Sequence, residues 1–297
     1  MPIDPRSLAA YQDRLTALRK SPYLDYPAHL HLETSALCNA ACNFCPYPSL
    51  ARRGAKMSDA LIDKIIEDLR AIPRTLPIQI SPFKVNEPFL DTRLFPLLEK
   101  INATLPNAFV SLSTNASAMT EKQLDRLARV RRLTYLWISM NDHREAEYEA
   151  TMQLSYRRTM ARLRMIHSAR ASGRLDLRII LSRVGDGSAA DFAFAAWAKR
   201  EFPLFEANVF QRGDWLGQVT TATATPPPVG CGKWFELSIT ATGIVAHCCM
   251  DGEAKYPIGD VNRQSVLEIY NAPEYRKLRE RTATRLDASP CNRCSFL

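Results

Sequence analysis

The stretch His31-Leu32-Glu33-Thr34-Ser35-Ala36-Leu37-Cys38-Asn39-Ala40-Ala41-Cys42-Asn43-Phe44-Cys45-Pro46 decides how the rest of the chain is read. It opens on an apolar alternation that predicts a strand and runs directly into three cysteines spaced C-x-x-x-C-x-x-C. Three thiolates this close together can hold three irons of a [4Fe–4S] cube and leave the fourth iron open to a chelating ligand. A zinc or redox knuckle is the competing reading. Structural zinc usually takes four protein ligands, whereas this run supplies three cysteines.

The rest of the composition sets bounds. The chain has 297 residues, 46% apolar and 24% charged, ordinary for a soluble globule with a substantial core. Asp4, Arg6, Asp13, Arg14, Arg19 and Lys20 deny the start the apolar core of a signal peptide, and no run reaches the apolar length of a membrane span. A soluble cytoplasmic protein with no membrane partner is expected. In that compartment the eight cysteines, at 38, 42, 45, 231, 248, 249, 291 and 294, read as ligands or reactive thiols rather than disulfides. Their two groups suggest two separate sites. The formal charge of +8 admits a polyanionic partner. Its basic residues, however, lie in helix-like runs, Arg126 to Arg132, Arg157 to Arg164 and Arg276 to Arg285, interleaved with apolar positions. They read as solvated outer faces, and no nucleic-acid partner is expected.

Residues 5 to 20 have helical period and lead onto the domain edge. From His29 onward strand, loop and helix alternate, with strands over about 29–34, 78–81, 109–115, 133–139, 175–183 and 205–211. Ser58 is placed to cap a helix running to about Leu69, with Leu61, Ile65, Ile66 and Leu69 on its apolar face. Repeated β-α units predict an α/β fold with a parallel sheet and right-handed crossovers. The proline run in Thr220 to Pro228 predicts a linker. Behind it come strands Glu236 to Thr240 and Ile244 to His247, turned at Thr242-Gly243, a helix near Ser265 to Tyr270, and Cys291-Asn292-Arg293-Cys294. The predicted division is a lead segment 1–28, a barrel 29–218, a linker 219–229 and a module 230–297. That module is too small to hold much core alone, and a metal centre would supply the missing stabilisation.

The cysteine spacing, Phe44 directly before the third cysteine and the strand ahead of it resemble the radical SAM enzymes. The resemblance implies that Cys38, Cys42 and Cys45 hold a [4Fe–4S] cluster whose open iron takes S-adenosylmethionine through its amino and carboxylate groups. One electron, from an external donor of flavodoxin or ferredoxin type, then releases the 5′-deoxyadenosyl radical, which takes a hydrogen atom from substrate carbon. Six β-α units match the family's partial (β/α)6 barrel. Asn86-Glu87-Pro88 resembles the family's Gly-Gly-Glu-Pro loop, although Val85 and Asn86 stand in place of the glycines, so the match rests on Glu87 and Pro88. By this resemblance Glu87 receives the methionine amino group, Ser113 and Ser139 lie at contacts to the ribose and carboxylate, Arg183 pairs with the cofactor carboxylate, and Phe44 packs on the adenine. Simple strand-end polarity remains open for Ser113, Ser139 and Arg183, and core packing for Phe44.

Cys231, the hairpin ending Ala246-His247-Cys248-Cys249, and Cys291-x-x-Cys294 resemble the twitch module, the shortened form of the SPASM extension, which holds one auxiliary [4Fe–4S] cluster with four thiolates. Structural zinc is the alternative for four cysteines. In the twitch pattern a cysteine follows the hairpin glycine by about five residues, which from Gly243 selects Cys248 and leaves Cys249 spare. Successive residues on an extended segment point to opposite sides, so Cys249 would aim away from the auxiliary cluster. A thiol at the barrel mouth can return hydrogen to a substrate radical on the face opposite to abstraction and so invert the carbon. The open alternatives are a buried apolar Cys249, or a swap in which Cys249 ligates and Cys248 is spare. The resemblance thus implies an epimerase of a polycationic aminoglycoside, with a dehydrogenase of an aminocyclitol alcohol as second reading. A basic protein binding a polycation needs local carboxylates, for which Asp142, Glu145, Asp214 and Asp251 are the candidates.

Overall fold

Ser58 starts a barrel helix as its position predicts. Its Oγ accepts the Leu61 N–H, and the helix it caps buries Ile62, Ile65, Ile66 and Leu69. The fold is that of a computed structural model describing residues 5–221 and 225–296. Positions 222–224, inside the predicted linker, and the first four residues of the predicted lead segment lie outside the described residues.

The elements follow the predicted alternation: α1 (Pro5–Arg19), β1 (His29–Leu32), α2 (Asp59–Leu69), β2 (Ile78–Ser81), α3 (Leu94–Thr104), β3 (Ala108–Thr114), α4 (Glu121–Leu127), β4 (Leu133–Ser139), α5 (Glu145–Met152), α6 (Tyr156–Ala171), β5 (Arg178–Gly185), α7 (Ala189–Glu201) and β6 (Glu206–Gln211). The tail adds β7 (Glu236–Ile239), β8 (Ile244–Ala246), β9 (Pro257–Asp260), α8 (Val266–Tyr270) and α9 (Pro273–Glu280). Among the described residues the strands form one sheet in the order β6-β5-β4-β3-β2-β1-β7-β8-β9, parallel from β6 through β7.

Side chains alternate across this sheet. Leu30, Leu32, Ile78, Ile80, Val110, Leu112, Leu136, Ile138, Ile179 and Leu181 join the helices in one core. The opposite parity, His29, His31, Ser81, Ser111, Trp137 and Ser182, therefore belongs to the face turned away from the helices.

The composition break at the proline run does not break the sheet. β7 pairs in parallel with β1, His29 with Glu236 through Leu32 with Ile239, and Leu237, Ile239, Val245, Val266 and Ile269 lie in the main core. The tail draws its stability from the barrel's own core as well as from any metal. The hairpin turn uses Gly243 at φ +86°, a left-handed conformation that favours glycine. β9, absent from the strands expected in the tail, begins at Pro257 and contains Gly259. An edge strand tolerates an initial proline, and a Cβ at 259 would lie 2.6 Å from the Ile269 side chain.

One composition reading is corrected here. Arg279 and Arg285, from a run read as a solvated face, are fully buried. Arg279 stacks 3.6 Å over Tyr270 and donates to the carbonyls of Tyr270 and Leu24. Arg285 donates to those of Val229 and Gly230. Their charges hold the start of the chain and the end of the proline segment against the tail.

Candidate active site

The cysteine run follows β1 at its C-terminal end and is anchored on several sides. Fully buried Glu33 accepts the N–H groups of Val85 (3.1 Å) and Ala241 (3.0 Å) and pairs with Arg52, so one carboxylate ties the β2 loop, the tail hairpin and the run's return leg to β1. Arg52 also donates to the Gly252 carbonyl at 2.6 Å. Asn39 and Asn115 form a second tie: Asn115 Nδ2 donates to Asn39 Oδ1 at 2.8 Å, and Asn39 Nδ2 to Ser117 Oγ at 2.8 Å. Backbone bonds from Ala41 and Asn43 to the carbonyls of Met152 and Thr151 seat the run on the end of α5.

Cys38, Cys42 and Cys45 are free, half-buried thiols. Burial raises all three, Cys38 to about 12 and Cys45 to about 11, and the neighbouring thiols push Cys42 up further. Such protonated soft donors give up their protons to a metal that binds them. The donor set suits iron–sulfur chemistry and provides three ligands, as a cluster with one open iron requires.

Glu87 lies between this run and β3, its own N–H bonded to the Leu37 carbonyl at 2.8 Å. Its carboxyl is buried and accepts from Thr114 Oγ1 (2.7 Å), Asn115 N (2.7 Å) and Phe89 N (3.1 Å). Burial outweighs these donors and lifts it to about 7. Ser113 precedes the Thr114-Asn115 pair that touches Glu87 and registers with Trp137; Ser139 registers with Ser182. Phe44 packs against the main core, and its carbonyl accepts the Trp215 indole N–H at 2.9 Å.

Arg183, expected to meet the cofactor carboxylate, has carboxylates of this chain as partners. It shares the parity of Ile179 and Leu181, so its side chain goes to the helix layer, where Nε donates to Asp191 (2.7 Å) and Nη1 to Asp142 (2.8 Å). These carboxylates already match its charge. The candidate substrate acids are largely engaged too. Asp142 is bound by Arg183 and Arg144. Asp251 accepts the N–H groups of Lys255, Tyr256 and His247. Glu145 pairs with Arg157 on the exposed side of α5, and Asp214 caps the Leu216 N–H.

In the tail, four buried cysteines, Cys231, Cys248, Cys291 and Cys294, line one cavity together with Trp234 and His247. Trp234 Nε1–H donates to Cys291 Sγ at 3.4 Å, and His247 Nε2 lies 3.2 Å from the same sulfur. Cys249 is not among the residues lining this cavity. It is half-buried, its thiol raised by burial while the Lys233 ammonium, close by, opposes the rise. Lys84 donates to the carbonyls of Cys249 (3.2 Å) and Asp251 (2.7 Å), joining this tail loop to the end of β2. Sequence reasoning missed the ties made by Glu33, Arg52, Asn39 and Lys84. The C-terminal strand-end position of Glu33 and Lys84 was the available signal.

A parallel α/β sheet carrying a thiol triad at one strand end and a second thiol set in its tail is a fold for two soft-metal centres. The Radical SAM superfamily model matches residues 32–186, just over half of the chain, and the chain belongs to that superfamily. An iron-sulfur cluster-binding domain, SPASM, matches residues 231–295. The chain therefore uses a [4Fe–4S] cluster and S-adenosylmethionine, with further iron–sulfur ligation in the tail. Comparison with curated proteins gives no match. Among solved structures, BtrN in complex with AdoMet and 2-DOIA is similar at TM-score 0.62 and 17% identity, over 91% of this chain and 93% of that one. SuiB of Streptococcus suis bound to precursor peptide SuiA is similar at 0.66 and 15%, over 99% and 76%, and anSMEcpe with bound AdoMet at 0.64 and 12%, over 87% and 82%. These likenesses establish the fold. Among the described residues no helix is long and apolar enough to cross a membrane.

Proposed function

We propose that this chain is a radical SAM epimerase that inverts a carbon stereocentre of an aminoglycoside, of the neomycin C to neomycin B type. The observation that carries the reading is the partition of the tail thiols: four line one cavity, and Cys249, next in sequence to one of them, does not. In this reading Cys38, Cys42 and Cys45 hold the first cluster, and Cys231, Cys248, Cys291 and Cys294 the auxiliary one. When bound, the first cluster and S-adenosylmethionine, reduced by a flavodoxin- or ferredoxin-type donor, supply the 5′-deoxyadenosyl radical. Glu87, held by Thr114, Asn115 and Phe89, receives the methionine ammonium; Phe44, Ser113 and Ser139 lie along the cofactor. Arg183 leaves this set, because Asp142 and Asp191 already engage its guanidinium. Cys249 gives its S–H hydrogen to the substrate radical from the face opposite to abstraction, and one electron from the same external donor and one proton from solvent restore the thiol from the thiyl left behind. Lys84 positions Cys249 by fixing the carbonyls around it.

In heavy water the reaction should place one solvent deuterium at the inverted carbon, because thiol protons exchange. Cys249→Ala should still form 5′-deoxyadenosine but release no epimer. Unlabelled epimer, or normal turnover by the variant, refutes the assignment. A dehydrogenase acting on an aminocyclitol alcohol would instead give a ketone, which the same product analysis detects.

A further inference from the structure

The inner face of the sheet carries a polar array outside the cofactor contacts proposed above. Two rows cross β2, β1 and β7 in register: Gln79, His29 and Glu236, then Ser81, His31 and Ser238. Glu236 is shared by His31 Nε2 (3.2 Å) and by the Lys233 ammonium, which approaches both carboxylate oxygens at 3.1 and 3.2 Å. His29 Nε2 lies 2.7 Å from Ser81 Oγ, which is itself 2.7 Å from Ser111 Oγ. Burial holds both imidazoles below their ordinary range, so they are neutral, each with one donor and one acceptor nitrogen.

Within this network two groups have no partner among the described residues. Ser238 Oγ is buried, with its residue 1% exposed, and Gln79 Nε2 is likewise buried and unpaired. A buried hydroxyl and amide without partners are costly to a fold unless something else satisfies them. Both stand on the face opposite the helices, in the same rows as His29, His31 and Glu236. Cys249 lies near this array, since Lys233 and Glu236 are among the charges acting on its thiol.

We propose that this array is the substrate-recognising wall of the active site, and that it takes a polyhydroxylated ring. The inference rests on the epimerase reading and names the surface that would present the sugar to Cys249. A sugar hydroxyl is both donor and acceptor, as a wall of neutral imidazoles, serine and amide requires. Ser238 and Gln79 take hydroxyls, and Glu236, whose charge Lys233 already matches, accepts a hydroxyl. His29, His31 and Glu236 could instead hold a metal, since one ligand atom from each lies within 4.8 Å of the others. The Lys233 ammonium on both Glu236 oxygens opposes that use.

The test is ligand binding by calorimetry on the anaerobically reconstituted protein with S-adenosylmethionine and no reductant, so that no turnover is needed. The probes are neomycin C, a panel of smaller aminoglycosides and aminocyclitols, and spermine as an amine without hydroxyls. Ser238→Ala should weaken the best-bound sugar about fivefold and Glu236→Gln about tenfold or more. Ser238→Ala should leave Tm unchanged or raised, because it removes an unpaired buried hydroxyl; a merely structural serine would lower it. Spermine should bind more weakly than the sugars. Unchanged sugar affinity in Ser238→Ala, no binding by any sugar, or a bound transition metal that His31→Ala abolishes each overturns the wall. A sugar that binds through these residues and is not inverted once reductant is added leaves the wall standing and removes the epimerase reading.

Discussion

Glu87 gives a prediction whose sign and size both follow from its surroundings. Its carboxyl is buried, and desolvation prevails over its three donors to place it at about 7. It must be ionised to accept an ammonium, so binding of S-adenosylmethionine at pH 6 requires the loss of a proton that is mostly absent at pH 8. Kd should therefore tighten about tenfold from pH 6 to pH 8 and level off above. Glu87→Gln should bind more weakly at pH 8, by about 2 kcal/mol for a lost charge-assisted hydrogen bond, and its Kd should not follow this slope. The linkage to folding runs in the opposite direction. A carboxyl raised from its unfolded value near 4.5 contributes stability that is complete below that value and is lost as pH rises through about 7, on the order of 3 kcal/mol. Calorimetric titration of the reconstituted protein at several pH values, with thermal melts of the cofactor-free protein beside it, measures both. A wild-type Kd flat from pH 6 to 8, or a glutamine variant that keeps the slope, refutes the reasoning.

Other outcomes follow from the same geometry. Cys248→Ala should lose the auxiliary cluster and fall from about eight irons per chain to about four, while Cys249→Ala keeps about eight; iron and sulfide analysis after reconstitution checks this. Arg183→Met would leave Asp142 and Asp191 without their shared buried cation and should cost about 3–5 kcal/mol in denaturant unfolding. Its Kd for S-adenosylmethionine should move less than about threefold, in contrast to Glu87→Gln. Arg279→Met should also lower stability by about 2 kcal/mol, since the Tyr270 and Leu24 carbonyls lose a charged donor.

Much of the fold was legible because apolar residues recur with periods of two and 3.6. Strands 78–81 and 133–139 match residue for residue, and the Ser58 cap sits where its helix begins. β5 begins at Arg178 rather than 175, because an apolar run does not mark where pairing starts. The parallel pairing of β7 with β1 had no local signal: nothing in Glu236–Ile239 states which distant strand it joins. Arg183 shows the limit most clearly for the site. Its place at the end of β5 was readable, but its orientation depends on parity fixed by Ile179 and Leu181, and on Asp191 arriving from α7. The His29, His31 and Glu236 group was equally hidden, since its two histidines belong to β1 and its carboxylate to the tail. The cysteines were legible because ligand chemistry requires particular residues at close spacing; charges that merely find one another across the fold carry no such pattern.

The register between β1 and β7 also bears on how the molecule is made. β1 emerges from the ribosome roughly two hundred residues ahead of its outer neighbour. Throughout that interval one side of the strand that delivers the cysteine run has open peptide groups, the template on which foreign chains add. Slow nascent-chain folding and recovery in inclusion bodies are the expected result, and lowering the growth temperature or supplying residues 230–297 as a separate polypeptide should increase the soluble yield of the front portion.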